Sequence, residues 1–203
     1  MKGTLAVTGD PAADELLNTD PLALLIGMLL DQQVPMEWAF KAPFLLRERL
    51  AGLRGPNAAS GSLHADKIAA TDPVELEAVF KGPPALHRFP GAMAKRVQAL
   101  CQYLVDEYGG DAGSVWASAT TGEELYRGVR SLPGYGDQKA KIFTALLAKR
   151  FGFALPGWQE QVGAYADSTP RSAADVDSAD ALQRVRQQKR TEKAKAKDNS
   201  TGS

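Results

Sequence analysis

The sequence predicts an all-α protein, and three observations support that fold class. Three Asp-Pro pairs, at 10–11, 20–21 and 72–73, each precede an apolar segment, where Asp can cap a helix and Pro is tolerated in its first turn. No segment keeps the alternation of apolar and polar residues that is typical of a strand. Apolar residues recur at helical spacing in nearly every segment, most regularly in Val97, Leu100, Cys101, Leu104 and Val105.

The most apolar of the expected helices follows Asp20-Pro21 and ends near Leu30. Because it is apolar on almost all sides, we place it at the centre of the fold. Residues 52–62 are rich in glycine, proline and serine and predict a loop. We expect one helical domain over residues 1–165 and a weakly ordered, basic tail over residues 166–203. The other expected helices lie at 11–17, 35–50, 65–70, 73–80 and 93–108, with two more around a hairpin within 123–150.

The composition excludes several classes of protein. Cys101 is the only cysteine, which excludes a disulfide framework and a cysteine-ligated zinc or iron–sulfur centre. No apolar segment has the length of a membrane helix and the N-terminus lacks signal-peptide features, so we expect a cytoplasmic monomer without a cofactor or metal. The net charge is zero, but residues 181–203 hold seven basic and two acidic residues. Such a tail is typical of a solvated, partly helical extension, with attraction to phosphate as the alternative.

The segment Leu132-Pro133-Gly134-Tyr135-Gly136 carries the strongest functional signal. It separates two helical segments: Pro133 and the glycines, which tolerate positive φ, end the first, and Asp137 is positioned to cap the second. The amides of a tight hairpin and the positive end of the next helix point the same way, which favours an anion. An ordinary turn between packed helices is the alternative. Phosphate is favoured by the basic residues that follow, Lys139, Lys141, Lys149 and Arg150.

Three segments, in the same order along the chain, resemble the helix-hairpin-helix (HhH-GPD) superfamily of DNA glycosylases, which includes endonuclease III and alkyladenine glycosylases. They are Leu29-Leu30-Asp31-Gln32-Gln33-Val34, Met93-Ala94-Lys95-Arg96-Val97, and the hairpin with Lys139-Ala140 after it. The resemblance covers residues 20–165. It implies a two-lobed helical fold that binds double-stranded DNA, with a damaged base flipped into the cleft. The single cysteine leaves no place for the iron–sulfur cluster of endonuclease III.

The resemblance also implies a set of DNA contacts. Amides near the two hairpin glycines and Lys139 would hold a phosphate, and the hairpin carbonyls would bind a monovalent cation. Gln32 and Gln33 lie where several members probe or fill the gap left by the extruded base, and an amide offers both a donor and an acceptor for that purpose. A solvated loop is the alternative for both. The implied DNA-binding residues are Gln32, Gln33, Leu132, Gly134, Tyr135, Gly136, Gln138 and Lys139.

Two catalytic groups of the family are missing from their expected places. Bifunctional members attack the sugar with a lysine two residues after the second hairpin glycine, where this chain has Gln138, which forms no Schiff base. Lys139, one position later, would point to another face of the helix, so we expect it to contact phosphate and expect no β-lyase step. The family's catalytic Asp corresponds to Gln159, which makes the adjacent Glu160 the candidate carboxylate, unless it simply faces solvent. Asp31 and Asp137 are the alternatives.

These residues lead to three hypotheses. The first is a monofunctional DNA glycosylase of base excision repair that hydrolyses the bond to a flipped, damaged base. Alkylated purines are favoured as substrates, because a cationic base is already a good leaving group. The second is a catalytically inactive module of the same fold that binds damaged DNA. The third is a helical scaffold that binds no nucleic acid, which the acidic body favours and the ordered resemblance opposes.

Overall fold

The computed structural model describes residues 2–52 and 63–201, with side chains up to residue 194. Within these ranges the chain is helical and contains no strand, as the sequence predicts. The expected loop at 52–62 lies outside the described residues except for Gly52. The eleven α-helices are α1 (Pro11–Thr19), α2 (Pro21–Leu30), α3 (Met36–Ala51), α4 (Ala65–Ala70), α5 (Pro73–Lys81), α6 (Pro90–Tyr108), α7 (Ser114–Ala117), α8 (Gly122–Arg130), α9 (Asp137–Phe151), α10 (Trp158–Val162) and α11 (Ala179–Thr201).

The three Asp-Pro pairs begin helices for the reason that the sequence suggests. In α1, α2 and α5 the Asp side chain accepts hydrogen bonds from the second and third amides of the helix, and Pro occupies the first position. The carboxylate of Asp20, for example, accepts from Leu22 N at 2.8 Å and from Ala23 N at 3.2 Å. These contacts satisfy amides that have no partner within the helix.

Helix α2 is the centre of the molecule. Every residue from Leu22 to Leu30 is buried. It packs against α1, α3 and α6. The helices on its two sides form two groups, one with α4 and α5 against α6, the other with α8, α9 and α10 packed together. The C-terminal end of α2 faces the hairpin and begins the loop that carries Gln32 and Gln33, so this end positions the site.

The segment after residue 165 differs from the prediction of a weakly ordered tail. A 3-10 helix at Ala173–Asp175 packs on α9, and residues from it and from α11 are part of the main core. Lys149 of α9 pairs with Asp175 at 2.7 Å, and Arg150 with Asp177 at 2.7 Å. The buried apolar side chains of this segment are those of Ala173, Ala174, Val176, Ala181, Leu182 and Val185. The helical domain therefore extends beyond residue 165.

Candidate DNA-binding and active site

The hairpin between α8 and α9 is a tight turn built on one glycine in the left-handed region. The amide of Tyr135 donates to the carbonyl of Leu132 at 3.0 Å, and Gly134 has a φ of +84°. Gly136 has a φ of −67° and caps the start of α9. The expectation that both glycines use positive φ therefore holds for Gly134 and is wrong for Gly136. Both are exposed, which leaves this backbone open to a ligand.

Two buried side chains fix the hairpin to the core. The Tyr135 hydroxyl donates to the carbonyl of Leu25 in α2 at 2.7 Å, and its ring meets Phe143 of α9 edge to face. Leu132 and Tyr135 are 2 % and 1 % exposed, respectively. The Tyr135 side chain therefore packs against α2 and α9. As DNA contacts, the side chains of Leu132 and Tyr135 are excluded by burial, and they hold the exposed glycines in place instead.

The start of α9 presents free amides beside the hairpin. The first backbone hydrogen bond within this helix runs from Ala140 N to Gly136 O at 2.9 Å, so the amides of residues 137–139 precede the hydrogen-bonded part. Asp137 does not cap them, contrary to the prediction. Its carboxylate accepts from the Tyr126 hydroxyl at 2.6 Å and pairs with Lys141 at 3.0 Å. These amides and the helix dipole therefore face outward together, which suits an anion.

A cavity of about 500 Å³ adjoins the hairpin and is flanked by two arginines. Arg130, at the end of α8, donates to the carbonyl of Tyr135 at 3.3 Å, and Arg96 of α6 donates to the side-chain oxygen of Gln32 at 2.7 Å. Both arginines are exposed. Guanidinium groups bind phosphate in a bidentate manner, so this cavity combines amides and cations for one anion. Neither arginine was assigned a role from the sequence, although Arg96 belongs to one of the three segments that carry the resemblance.

The hairpin carbonyls were also expected to bind a monovalent cation. Two of them already accept hydrogen bonds: that of Leu132 from the Tyr135 amide, and that of Tyr135 from the guanidinium of Arg130. Arg130 thus supplies a fixed positive charge at the hairpin carbonyls. Hydrolysis of the bond between base and sugar does not require a bound cation at these carbonyls.

The two glutamines after α2 have different environments. The side chain of Gln32 is half-buried and bonded to other parts of the chain. Its nitrogen donates to the carbonyl of Leu29 at 2.7 Å, and its oxygen accepts from Arg96. Its backbone carbonyl is bonded to the ring of buried His87 at 2.9 Å, which gives that histidine a structural role. Gln33 is exposed and has a φ of +58°, a conformation that side chains other than glycine adopt at a cost. Gln33 therefore projects from the loop, and Gln32 holds that loop in shape.

Lys139 points inward, which corrects the expectation that its side chain contacts phosphate. Its ammonium donates to the carbonyls of Met28 and Leu29 at the end of α2, both at 2.7 Å. Burial lowers the pKa of this amine to about 8. Gln138, in the position of the family's lysine, is exposed and donates to the Tyr165 hydroxyl at 3.0 Å. Neither residue offers a free amine beside the hairpin.

The two candidate carboxylates also differ in environment. Glu160 is exposed in the short helix α10. Asp31, at the end of α2, is half-buried and lines a second cavity of about 500 Å³ between the glutamine loop, the start of α3 and α11. Burial raises the pKa of the Asp31 carboxyl, and the positive charges of Lys189 and Lys139 act against that shift. The sequence placed Asp31 among the alternatives, and the structure gives it the more enclosed position.

Comparison with known protein families accounts for this arrangement. Residues 26–201 match the family described as HhH-GPD superfamily base excision DNA repair protein. The chain belongs to this superfamily. The match includes α11, in agreement with the extent of the helical core. No curated protein and no solved structure matches the chain significantly. HhH-GPD proteins are DNA glycosylases, so membership makes damaged DNA the substrate class.

Other features of the described residues complete the site. Trp38 is 36 % exposed, and its indole nitrogen donates to the carbonyl of Ala85 at 3.0 Å. Trp158 is half-buried and begins α10. Within the described ranges, no group of three or more His, Cys, Asp and Glu side chains is arranged to hold a metal ion. None of the helices described there has the length and apolar character needed to cross a membrane.

Proposed function

We propose that this HhH-GPD protein is a monofunctional DNA glycosylase that hydrolyses the bond between deoxyribose and a damaged base. The observation that carries the proposal is the environment of Gln138 and Lys139, two and three residues after the hairpin. Gln138 is an amide bonded to Tyr165, and the ammonium of Lys139 is bound to two carbonyls of α2. A lyase needs a free amine at the sugar to form a Schiff base. Hydrolysis of the bond between the sugar and the base requires only water and a carboxylate.

The arrangement of the site supports binding to distorted DNA. The hairpin amides, Arg96 and Arg130 would hold a backbone phosphate, and exposed Gln33 would enter the gap that a flipped base leaves in the duplex. Asp31 and Val34, on either side of the two glutamines, line the second cavity. A base that leaves the stack at Gln33 would therefore find this cavity next to it, and its volume exceeds that of one base.

We further propose that Asp31, rather than Glu160, is the catalytic carboxylate. In this reaction the bond between C1′ and the base breaks, and its electron pair leaves with the base. Water adds to C1′, and the carboxylate accepts the proton that the water loses. A negative charge beside the sugar also stabilises the cationic transition state, and it does so best where water is excluded. Asp31, half-buried in its cavity, comes nearer to that condition than exposed Glu160.

The substrate class we propose is an alkylated purine. Alkylation makes the base cationic, so it departs without prior protonation and needs little more than a carboxylate near C1′. This requirement agrees with a site that lacks the family's lysine and its Asp at the usual position.

The second candidate function is a damage-binding module without catalysis. The observation that favours it is the pair of amides at the family's two catalytic positions, Gln138 and Gln159, neither of which is a reactive group. Such a module would keep the hairpin and Gln33 as DNA contacts. This hypothesis therefore predicts tight binding to abasic-site DNA and no released base.

Base release by carboxylate variants tests these proposals. The purified chain is incubated with methylated DNA and with duplexes that carry oxidised or deaminated bases, and free bases are measured by mass spectrometry. We expect Asp31→Asn to abolish release and Glu160→Gln, the matched control, to retain it. The reverse result would return the role to Glu160. No release by the unmodified chain from any duplex, with abasic-site binding retained, would support the binding module.

A further inference from the structure

Helix α11 carries a stripe of four basic residues on one face: Arg186, Lys189, Arg190 and Lys193. Lys189, Arg190 and Lys193 come three, four and seven residues after Arg186, which places all four on the same side of a helix. Lys189, Arg190 and Lys193 are exposed. We call these four residues the cationic stripe. Arg184 is also exposed but, five residues before Lys189, it lies on another side and lines a different cavity.

The stripe has a fixed position because the start of α11 is anchored in the core. Ala181, Leu182 and Val185 are buried. Arg171 pairs with Glu192, which lies off the stripe, at 3.6 Å. The helix is therefore held against the body at its first turns, and the stripe continues along the face that Leu182 and Val185 begin. A disordered tail would present no such surface.

The stripe lies at the cavity that contains Asp31. Arg186, Lys189 and Arg190 line this cavity together with Asp31, and Arg186 pairs with Glu37 at the start of α3. Lys189 is near enough to Asp31 to favour its ionised form. Asp31 comes two residues after Leu29, whose carbonyl binds Lys139 of the hairpin helix. The hairpin and the stripe therefore both lie at the same end of α2.

The positive charges of the stripe favour the binding of an anion. Like charges at spacings of three and four repel on a helix surface, and the acid that pairs with a stripe residue among the described ion pairs is Glu37. The chain outside residues 181–203 holds 17 basic and 22 acidic residues, so positive charge is concentrated on this helix. A polyanion that reaches the Asp31 cavity would meet the stripe at the mouth of that cavity.

We propose that the cationic stripe is a second DNA-binding element, which holds the sugar–phosphate backbone beside the nucleotide whose base enters the Asp31 cavity. The inference rests on the proposed function for the identity of the polyanion as damaged DNA. It adds a contact that the hairpin does not provide, because three residues of the stripe line the Asp31 cavity, whereas the hairpin residues line the other cavity. Binding here is sequence-independent and depends on salt.

The test is the salt dependence of binding to a short duplex that carries a stable abasic-site analogue. Each lost phosphate contact reduces the slope of log affinity against log salt by about 0.9. We expect Lys189→Gln/Arg190→Gln to reduce the slope by about 2 and to weaken binding roughly tenfold or more at low salt. Lys189→Gln alone should reduce it by about 1. The charge-preserving variant Lys189→Arg/Arg190→Lys should keep the original slope.

Arg184→Gln is the matched control, because it removes one exposed charge from another side of the same helix. A slope for Lys189→Gln that equals that of Arg184→Gln would overturn the inference. A hairpin variant, Arg96→Gln/Arg130→Gln, separates this inference from the proposed function. If it weakens binding and the stripe variants do not, the stripe proposal fails and the proposed function stands. If neither set weakens binding, both fail.

Discussion

Replacement of Gly134 by alanine is the most direct test of the hairpin geometry. Gly134 has a φ of +84°, and a Cβ built there would lie 2.5 Å from Cδ1 of Leu29, a fully buried residue of α2. The left-handed conformation costs about 1–2 kcal/mol for alanine. Displacement of a packed leucine adds about 1–3 kcal/mol. The lower entropy of the unfolded alanine chain returns about 0.4–1 kcal/mol. We expect Gly134→Ala to lower the free energy of unfolding by about 2–4 kcal/mol.

The assay is urea denaturation, with the free energy of unfolding taken from the midpoint and slope of each transition. Gly136→Ala is the matched control, because Gly136 has a φ of −67° and nothing lies within 4 Å of a Cβ built there. Its free energy of unfolding should lie within about 0.5 kcal/mol of the original. If the two variants were equally stable, the left-handed turn against Leu29 would not be the conformation of the hairpin.

Three further predictions concern buried polar groups. Tyr135→Phe should lower the free energy of unfolding by about 1–3 kcal/mol, since the carbonyl of Leu25 loses its buried donor; an unchanged urea midpoint would contradict that bond. The folded pKa of Lys139, about 8, lies below its ordinary 10.5, so the folded state loses this proton first and stability should rise with pH between about 8 and 10. Lys139→Met should remove that rise, as urea titrations across this window would test. Asp31→Asn should be at least as stable as the original chain at neutral pH, because burial disfavours the charged form of Asp31; a lower urea midpoint would mean that the carboxylate is structural.

The helices could be predicted from the sequence because their signals are local. An Asp side chain that caps the second and third amides and a Pro in the first position need only neighbouring residues, which is why α1, α2 and α5 begin where expected. The apolar composition of α2 predicted its central position in the same way. The packing of α11 against the core was missed because its charged composition was taken to indicate a solvated extension, although Leu182 and Val185, three residues apart, are the signal of a buried face.

The site was predicted less completely, since its side chains are oriented by contacts between distant segments. Lys139 follows the hairpin closely in sequence, yet it turns toward carbonyls 110 and 111 residues earlier in the chain. The same holds for Asp137, which is drawn to Tyr126 and Lys141 rather than to the amides beside it. In the sequence, nothing distinguishes Asp31 from other polar residues that follow a helix. Its cavity is formed only when α3 and α11 pack around it.

The central claim is that the protein releases a base and leaves the DNA strand intact. One time course tests it: a duplex with an end label and a methylated purine is incubated with the purified chain. Free base is measured by mass spectrometry and strand scission on a denaturing gel, before and after alkali. We predict released base in equal amount to alkali-labile sites, without scission before alkali. Scission without alkali that matches base release would contradict the claim by revealing a lyase, and so would the absence of any released base.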